Sequence, residues 1–455
     1  MTEEQDSRRV SLLLGLLFGV VGMGSSSAAI ALPMIAAEFD VSVGVAAWTI
    51  SGYVLFLAVT TAVYGRVSDL VGVRWPLVFG VSLMTIGALA AALAPTFSVL
   101  LVARLFQGAG AAAVPTLGVA VLSARYVGAV RGVALGRLAA IAASLGCLGP
   151  LLGGVVEHAL GWRAVMALPI FAVLLIPLVW HALFGEGTGA RLDVLGAVLV
   201  AVTSGGLVLL VQSPSTGLVV ATIGSLLVLM GAPLVAHRVR RQPHGFLPRA
   251  VIRNGRVVRS ALAAASVPAS WFALLIAVPA VMVHAGWEPW EVGLLLLPSA
   301  GIALFVPRWA GPLLDRRGGA WTLALAGIVA ASSLLTGAVG TATEWPALVA
   351  VAVVLTSISF GLGQPALMAS VGDAVHADVR GVALGIATLL FLVGGSVGSA
   401  FVAGLGEVIG IPSSLAVLAV LPLLGLLAIA PDLRRRPVEH VARAEVVTRT
   451  SGIRP

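Results

Sequence analysis

Long apolar runs, each of about 20 residues, recur from one end of this sequence to the other. A helix of that length spans the roughly 30 Å of hydrocarbon in a bilayer, and it satisfies its own backbone hydrogen bonds where no water can. The composition agrees, because 59% of the residues are hydrophobic and only 10% are charged, against about 25% charged residues in a typical soluble domain. The sequence therefore predicts an all-α integral membrane protein.

Fourteen membrane-spanning helices are predicted when each run is bounded by charged residues, proline or glycine. The predicted helices begin near Val10, Val45, Trp75, Ser98, Arg131, Arg163, Asp193, Gly217, Val257, Trp290, Ala320, Pro346, Arg380 and Ile411. The first run follows Arg8 and Arg9, but no small-residue cleavage site separates it from the next run. We therefore expect a spanning helix there and not a removed signal peptide.

The arginines indicate how these helices are oriented. All 27 basic residues are Arg, and nearly all of them fall on one side of the membrane when the N-terminus is placed in the cytoplasm. The loops on the other side carry acids, namely Glu38, Asp40, Glu157, Glu288, Glu291, Glu344 and Glu407. Cytoplasmic loops of membrane proteins are enriched in basic residues in this way. We expect a multi-pass protein of the inner (cytoplasmic) membrane with both termini in the cytoplasm. The net charge of +8 then reports orientation and contact with the membrane surface, and no nucleic-acid partner is expected.

An internal repeat divides the chain. The stretch GRVSDLVG, which begins at Gly65, returns 246 residues later as GPLLDRRG, and RGVALG at Arg131 returns 249 residues later at Arg380. Two pairs at nearly one spacing predict two copies of a six-helix unit, a common plan of transporters whose substrate site lies between the copies. The predicted divisions are an N-terminal half at 1–187, two inserted helices and a basic loop at 188–256, a C-terminal half at 257–432, and a cytoplasmic tail at 433–455.

Four short motifs carry a resemblance to a known family. They are GRVSDLVGVR from Gly65, RLFQGAGAA from Arg104, LGCLGPLLGG from Leu145, and LDVLG from Leu192. Together they resemble motifs of the major facilitator superfamily, and specifically of its 14-helix drug:proton antiporters. The chain departs from the family pattern at Leu70, where a basic residue is usual, and at Gly146, which falls one residue late.

This resemblance implies a fold and two sets of site residues. The implied fold is the major facilitator fold, with two six-helix halves plus two inserted helices. The implied conformational gate consists of Gly65, Asp69, Gly72, Arg74, Gly311, Asp315 and Arg316. The implied antiporter motif consists of Gly146, Gly149, Pro150, Gly153 and Gly154.

The glycines of the antiporter motif also have a physical interpretation. With Ala139 and Ala142 they recur at steps of three or four, so they share one helix face on which a neighbouring backbone can approach closely. Pro150 removes a backbone hydrogen bond and favours a bend. Packing alone explains small residues in many membrane helices. However, the Gly-Pro pair occurs in one half only, since Ser399 holds the equivalent position in the other. We therefore predict a functional bend.

Asp69 and Asp315 are predicted to lie at cytoplasmic helix ends beside arginines. Such carboxylates pair with Arg or with a helix N-terminus, and a contact formed in one conformation alone shifts an alternating-access equilibrium. A solvated loop ion pair is the alternative. The same glycine-framed setting in both copies favours the gate.

Arg104 falls about six residues into the fourth predicted helix, counted from the outer end. A charge at that depth is costly and usually faces a cavity or a partner, although snorkelling to the outer surface is the alternative. Gln107 lies one turn deeper on a similar face. We assign Arg104 and Gln107 to proton coupling or substrate binding.

No acid falls near the middle of a predicted helix, and Gly24 occupies the position where the resemblance leads us to expect an Asp. Proton coupling must then rest on Asp69, on Arg104 with water, or on the outer-end residues Glu157, His158 and Glu407. The family architecture implies a substrate cavity bordered by helices 1, 4, 9 and 12. Besides Arg104 and Gln107, those helices offer Ser25, Ser26, Ser27, Trp271, Phe272, Phe360 and Gln364. Such apolar and aromatic walls suit amphipathic molecules, although each aromatic residue has helix packing as its alternative role.

The sequence thus predicts a secondary active exporter of drug-like or antibiotic molecules that works by alternating access in exchange for protons. A facilitator-type carrier or importer on the same fold is the alternative, and a membrane receptor or enzyme without transport is a third. No GxxxxGK[ST], HExxH or paired-cysteine spacing occurs, and Cys147 is the lone cysteine, so we expect no enzyme, cofactor or metal site. The expected partners are an amphipathic small molecule, protons and the lipid bilayer, and we expect a monomer.

Overall fold

A computed structural model describes residues 3–126, 128–183, 193–243, 245–375 and 380–433, with the side chains of all of these except 69–70, 128–129 and 380–382. Nearly all of the described chain is helical, and no strand occurs in it. Thirteen of its helical elements are long and apolar enough to cross a membrane. The prediction of an all-α membrane protein is confirmed. The predicted tail at 433–455 lies almost wholly outside the described residues.

The first eight spans are numbered TM1 to TM8 in chain order. Their bounds are Glu3–Ile30 for TM1, Val43–Ala46 with Trp48–Val71 for TM2, Arg74–Ala92 for TM3, Phe97–Ala111 with Ala113–Arg125 for TM4, Gly128–Leu160 for TM5, Trp162–Ala182 for TM6, Val194–Thr216 for TM7, and Leu218–Arg241 for TM8. TM6 is irregular, because residues Leu168–Leu175 form a 3₁₀ helix. A short helix, Leu32–Glu38, follows TM1.

The remaining spans include one element that is too long for a single crossing. It covers 54 residues, Pro289–Ala342, and Gly318 inside it has φ 80° and ψ 170°, a conformation that glycine adopts readily. Divided there, the thirteen elements become the fourteen predicted helices. The bounds are Gly255–His284 for TM9, Pro289–Leu295 with 297–317 for TM10, 319–342 for TM11, Pro346–Gly372 for TM12, Arg380–Ile409 for TM13, and Ile411–Leu418 with Val420–Leu433 for TM14.

The backbone at Gly318 repeats that at Gly72, which ends TM2 with φ 80° and ψ 178°. The packing repeats too, since TM5 lies along TM1 and TM13 lies along TM9. A Cβ added at Gly149 of TM5 would lie 2.9 Å from the carbonyl oxygen of Met23, and one at Gly398 of TM13 would lie 2.2 Å from that of Ala269. These pairs are separated by the spacings of the sequence repeat, so the repeat reflects two copies of one helix-packing pattern.

TM7 and TM8 form a pair at the edge of the bundle. A Cβ added at Gly206 of TM7 would lie 3.0 Å from the carbonyl oxygen of Gly224 in TM8, so their backbones are in close contact. TM8 packs mainly on TM7 and exposes most of its apolar side chains. Lipid is the expected surrounding of such a helix.

The two ends of the bundle differ in charge. The acidic face carries Glu38, Glu157, Glu288, Glu344 and Glu407, and the arginine-rich face carries Arg66, Arg131, Arg253, Arg256 and Arg316. TM1–TM6 are called the N-terminal half and TM9–TM14 the C-terminal half.

Candidate functional site

The glycine–proline segment of TM5, residues 146–154, is hydrogen-bonded to TM1 through the backbone carbonyl of Gly146. Pro150 has no N–H, so the carbonyl of Gly146 loses the donor that it would have in a regular helix. The hydroxyl of Ser26 in TM1 donates to that carbonyl at 2.6 Å. A Cβ added at Gly149 would lie 1.9 Å from the same hydroxyl oxygen. The proline thus supplies an acceptor, and the glycine leaves room for the donor.

The same segment also touches the other half of the protein. A Cβ added at Gly154 would lie 2.4 Å from the carbonyl oxygen of Pro289, the first residue of TM10. A Cβ added at Gly293 of TM10 would in turn lie 2.7 Å from the carbonyl oxygen of Pro150. Residues 150–154 therefore bring the two halves into backbone contact near the acidic face.

The departure from the family pattern at Leu145 has a structural counterpart. A Cβ added at Gly19 of TM1 would lie 2.7 Å from the Cβ of Leu145. Where TM1 and TM5 cross, the glycine is therefore on TM1 (Gly19), and TM5 contributes the side chain of Leu145. Gly146 itself has open space where a Cβ would point, so its contribution to the interface is its carbonyl.

TM2 and TM13 form a second contact between the halves. The hydroxyl of Ser396 donates to the carbonyl of Ser51 at 2.6 Å, and the hydroxyls of Ser51 and Ser399 lie 2.9 Å apart. All three serines are buried. Ser399 is the position equivalent to Pro150. Each half therefore has a polar contact to a neighbouring helix near this position. In the N-terminal half a serine donates to the carbonyl that Pro150 leaves free, and in the C-terminal half Ser399 itself makes the contact.

The acidic-face end of this contact includes a carboxylate and an inserted helix. The Oε1 atom of Glu407 in TM13 accepts a hydrogen bond from the N–H of Gly44 at 2.9 Å, at the start of TM2, where a free helix N–H favours an anion. The amide of Gln212, buried in TM7, donates to the carbonyl of Gly44 at 2.8 Å. Sequence reasoning missed Gln212, although a glutamine within an apolar run was a usable signal.

The contacts between the halves are distributed unevenly. Among the described residues, every hydrogen bond between the halves lies between the middle of the bundle and the acidic face. A long, exposed contact of 4.0 Å between His158 and Glu288 lies at that face as well. Towards the arginine-rich face, a Cβ added at Gly132 or Gly136 of TM5, or at Gly301 or Gly311 of TM10, would meet no atom within 4 Å.

The predicted gate residues lie at the arginine-rich face. Asp315 and Arg316 are exposed, and no ion pair joins them to another described residue. The side chain of Asp69 lies outside what the structure describes. Arg74 instead holds TM3 to the end of TM6, donating to the carbonyl of Leu183 at 2.8 Å with its guanidinium 4.9 Å from the Trp180 ring. Gly65 makes only an ordinary van der Waals contact.

Arg104 is almost completely buried inside the N-terminal half, with 1% of its surface exposed. Its Nε donates to the carbonyl of Thr49 at 3.0 Å, its Nη1 donates to the Oε1 of Gln107 at 2.6 Å, and its guanidinium lies 4.3 Å from the centre of the Tyr53 ring. The remaining Nη2 of Arg104 and the Nε2 of Gln107 have no partner among the described residues. The arginine therefore binds TM4 to TM2 through a carbonyl and a ring, and no carboxylate of the described residues pairs with it.

The predicted cavity residues fall into two groups. The first group comprises Trp271, Phe360 and Gln364. Trp271 and Phe360 form a row of rings with Phe391, which the sequence did not predict. The ring centres are 5.9 Å and 5.5 Å apart, on TM9, TM12 and TM13. Trp271 continues this row to the contact between TM5 and TM10 at Cys147. Gln364, one turn from Phe360, is half-buried.

The other group lies in helix interfaces. Ser26 and Ser27 are buried between TM1 and TM5, where a Cβ added at Gly153 would lie 2.9 Å from the Cα of Ser27. Ser25 is half-buried and donates to the carbonyl of Gly22 in its own helix. Phe272 packs beside Gly395 of TM13. The cavity role of these four residues stays a prediction.

Two carboxylates outside the spans have altered acidity. The pKa of Glu38 is lowered by hydrogen bonds from the indole N–H of Trp162 and from Arg163, which fix the loop after TM1 to the start of TM6. Burial by itself raises the pKa of Asp193. Bonds from Arg238 and from the amides of Phe246 and Gly196 outweigh it, so that the pKa is lowered.

Comparison with known proteins places this geometry in a family. The model of the Major Facilitator Superfamily matches residues 14–249 and 260–455. The multidrug resistance protein Stp of Mycobacterium tuberculosis is 31% identical over 382 residues, which cover 82% of this chain and 70% of that protein. The multidrug resistance protein B homolog of the same species is 28% identical over 391 residues, 80% of this chain and 69% of that protein. A crystal structure of a POT family transporter in complex with a thioalcohol-conjugated peptide shares the fold, with a TM-score of 0.67, 14% identity, and coverage of 93% of this chain and 96% of that one.

Proposed function

This chain belongs to the Major Facilitator Superfamily, and from that premise we propose that it exports drug-like or antibiotic molecules across the cytoplasmic membrane in exchange for protons. Relatives named as multidrug resistance proteins support the substrate class. The excess of arginine on one face supports a cytoplasmic location for that face and for both termini.

The observation that carries the proposal is the position of the glycine–proline segment. It joins TM1 through the bond from Ser26 to Gly146, and it meets TM10 through the contact of Gly154 with Pro289. An exporter has to keep the acidic, outer face closed while substrate enters from the cytoplasm. Backbone contacts without side chains between them make a seal that excludes water and ions.

Alternating access follows from the uneven contacts between the halves. The bonds of Ser51, Ser396 and Glu407 hold the acidic face together, so they have to break when that face opens. The gate motif around Asp69 and Asp315 would form its contacts in the opposite state, when the arginine-rich face closes. Each set of contacts then favours one state, and a substrate or proton that weakens one set shifts the population.

The aromatic row supplies the surface for an amphipathic substrate. Trp271 and Phe360 are half-buried on the C-terminal half and lie close to where TM5 meets TM10. Aromatic walls with a few polar groups are typical of pockets for drug-sized molecules, and Gln364 is the polar group one turn away. Arg104 is too deeply buried here to touch a substrate, so its proposed role is to position TM2 and TM4.

Proton coupling is the step for which the chain lacks the usual group. A Cβ added at Gly24, where the family resemblance implies Asp, would lie 2.3 Å from the Cγ of Pro169. TM6 thus fills the space of a carboxylate. Of the acids left, Glu407 is the one that hydrogen-bonds across the two halves among the described residues. We assign the coupling role to Glu407, since protonating it removes the negative charge and so weakens the hydrogen bond from Gly44 that holds the acidic face closed.

The same filled position at Gly24 favours one alternative, a facilitator-type carrier without proton coupling. Accumulation of a panel of amphipathic dyes and antibiotics in efflux-deficient bacteria that express the chain separates the two. Lower accumulation that a protonophore abolishes supports energised export. Unchanged or higher accumulation overturns export, and net uptake that follows the concentration gradient assigns the carrier.

A further inference from the structure

A cavity of about 870 Å³ lies apart from the contact between the halves, between TM7, TM8 and the loop that follows TM8. Val235 and Ala236 of TM8 contribute to its apolar wall, together with Ile252 of the loop. Its mouth at the arginine-rich face is lined by Arg240, Arg249 and Arg253. The cavity thus combines an apolar interior with three guanidinium groups at one end.

The loop that closes this cavity is fixed in place by one buried carboxylate. Asp193 accepts hydrogen bonds from the N–H of Gly196 at 3.0 Å, from Arg238 at 2.7 Å and from the N–H of Phe246 at 3.1 Å. These three donors belong to the start of TM7, the end of TM8 and the loop. The loop side chains of Phe246 and Val251 are buried, and Val251 belongs to the short helix Arg249–Ile252, so this helix is anchored against the protein.

The arginines in this region divide into two sets. Arg238 is paired with Asp193, and Arg259 is paired with Asp432 at 2.7 Å. The three arginines at the mouth are exposed, and their side chains form no hydrogen bond or ion pair with any described residue. Acids neutralise Arg238 and Arg259, whereas the positive charge at the cavity has no partner within the part of the chain that the structure describes.

We propose that this cavity binds an anionic phospholipid, with the phosphate held by Arg240, Arg249 and Arg253 and an acyl chain lying along TM8. The wall from Arg240 to Ala232 covers two turns of helix, about 12 Å, which reaches from the headgroup level into the hydrocarbon. TM8 is the most exposed span, so a lipid enters from the side without crossing the protein. Basic pockets between transmembrane helices on the cytoplasmic side bind anionic headgroups, and the arginine-rich face is the proposed cytoplasmic face.

The test compares two lipids that share their acyl chains. The purified full-length protein in neutral detergent is titrated with phosphatidylglycerol and with phosphatidylcholine, and bound lipid is counted by native mass spectrometry. We expect phosphatidylglycerol to bind more tightly. Each of Arg240→Gln, Arg249→Gln and Arg253→Gln should weaken it about fivefold, the factor that corresponds to about 1 kcal/mol per arginine. Arg241→Gln is the matched control, since Arg241 follows Arg240 but does not line the cavity.

A second variant tests whether the lipid occupies the cavity itself. Ala236→Trp fills the apolar wall at an exposed position and leaves all three arginines in place. We expect it to abolish preferential phosphatidylglycerol binding, while thermal unfolding without added lipid stays as in the parent. Equal binding of the two lipids by the parent protein overturns the proposal. So does a loss with Arg241→Gln as large as with Arg240→Gln, or unchanged binding by Ala236→Trp, which means adhesion to the surface charge alone. None of these measurements depends on transport.

Discussion

The hydroxyl of Ser26 bonds to the carbonyl of Gly146, 2.6 Å away, on the turn of TM5 where Pro150 leaves that carbonyl without a helical donor. This contact explains why a membrane helix carries a proline at such a depth. The proline creates an acceptor that the neighbouring helix satisfies here, and an unsatisfied carbonyl in hydrocarbon is costly. The pair therefore fixes how TM1 and TM5 lie against each other. The described part of TM5 remains helical on both sides of Pro150.

The Ser26–Gly146 bond predicts non-additive effects on stability. Ser26→Ala should lower the free energy of unfolding by about 1 kcal/mol, because the carbonyl loses its partner. In a Pro150→Ala background the N–H of residue 150 satisfies the carbonyl, so the same serine change should cost much less. A double-mutant cycle measured by denaturation in mixed micelles checks this. Ser25→Ala, which removes a bond within TM1 only, is the control. Equal costs of Ser26→Ala in both backgrounds would contradict the explanation.

The contact between Gly154 and Pro289 predicts that the motif glycines differ in tolerance. Gly154→Ala forces a methyl group against the TM10 backbone, and overpacking costs about 1–3 kcal/mol. Because the strain exists only while the acidic face is closed, the equilibrium constant between the two states should shift about 5- to 150-fold towards the opposite state. We expect reduced dye export and greater thiol-reagent labelling of cysteines introduced into the acidic-face half of TM10.

Gly146→Ala is the matched change within the same motif. An added methyl group there meets open space, so export should stay within about twofold of the parent, as for a neutral surface change. If Gly146→Ala and Gly154→Ala impair export equally, the glycines act through the bend and not through the seal.

The bond from Gly44 to Glu407 predicts how coupling can be separated from closure. Glu407→Gln keeps an oxygen acceptor for the N–H of Gly44 but can no longer take up a proton, whereas Glu407→Ala loses both. We expect Glu407→Gln to bind substrate but to lose protonophore-sensitive export, and Glu407→Ala to open the acidic face as well. Proton release on substrate addition to reconstituted vesicles is the measurement. Full coupling in Glu407→Gln would exclude this residue as the proton carrier.

The aromatic row predicts a dependence on substrate chemistry. Phe360→Leu keeps most of the apolar volume but removes the ring, and aromatic pairs are worth about 0.5–1.5 kcal/mol beyond burial. We expect the apparent KM for aromatic dyes to rise about two- to tenfold, with little change for aliphatic amphiphiles. Trp345→Ala, at an exposed loop position, is the control. An equal effect on both substrate types would assign Phe360 to packing alone.

The sequence predicted the helices better than it predicted their contacts. Apolar runs and glycines locate each span, and the repeat identified Gly318 as a second Gly72. Contacts depend on which helix faces meet, and the chain does not display this locally. Ser26 and Ser27 were predicted for their position in TM1, but their contacts with TM5 could not be read from that position. The bond between Gly44 and Glu407 joins residues 363 positions apart, so no local sequence motif predicts it.

The acidity of Asp193 predicts the pH range over which the TM7–TM8 loop loses stability. Its pKa in the folded protein lies below the ordinary value of 3.8, because Arg238 and two amide donors favour the charged form. For a lowered pKa, the stabilisation is complete above the unfolded-state pKa and is lost as the pH falls through the folded-state pKa. Asp193→Asn should therefore unfold at a lower temperature than the parent at pH 6, and the two should converge as the pH falls below 3.8. Thermal unfolding of both proteins in one detergent across that range measures the difference in unfolding temperature, in which the titration of all other acids cancels.

Arg238→Gln should also reduce the difference in unfolding temperature at pH 6, since it removes the first of the donors that stabilise the charged carboxylate. A difference between Asp193→Asn and the parent that does not vary with pH would show that the carboxylate acts by shape and not by charge.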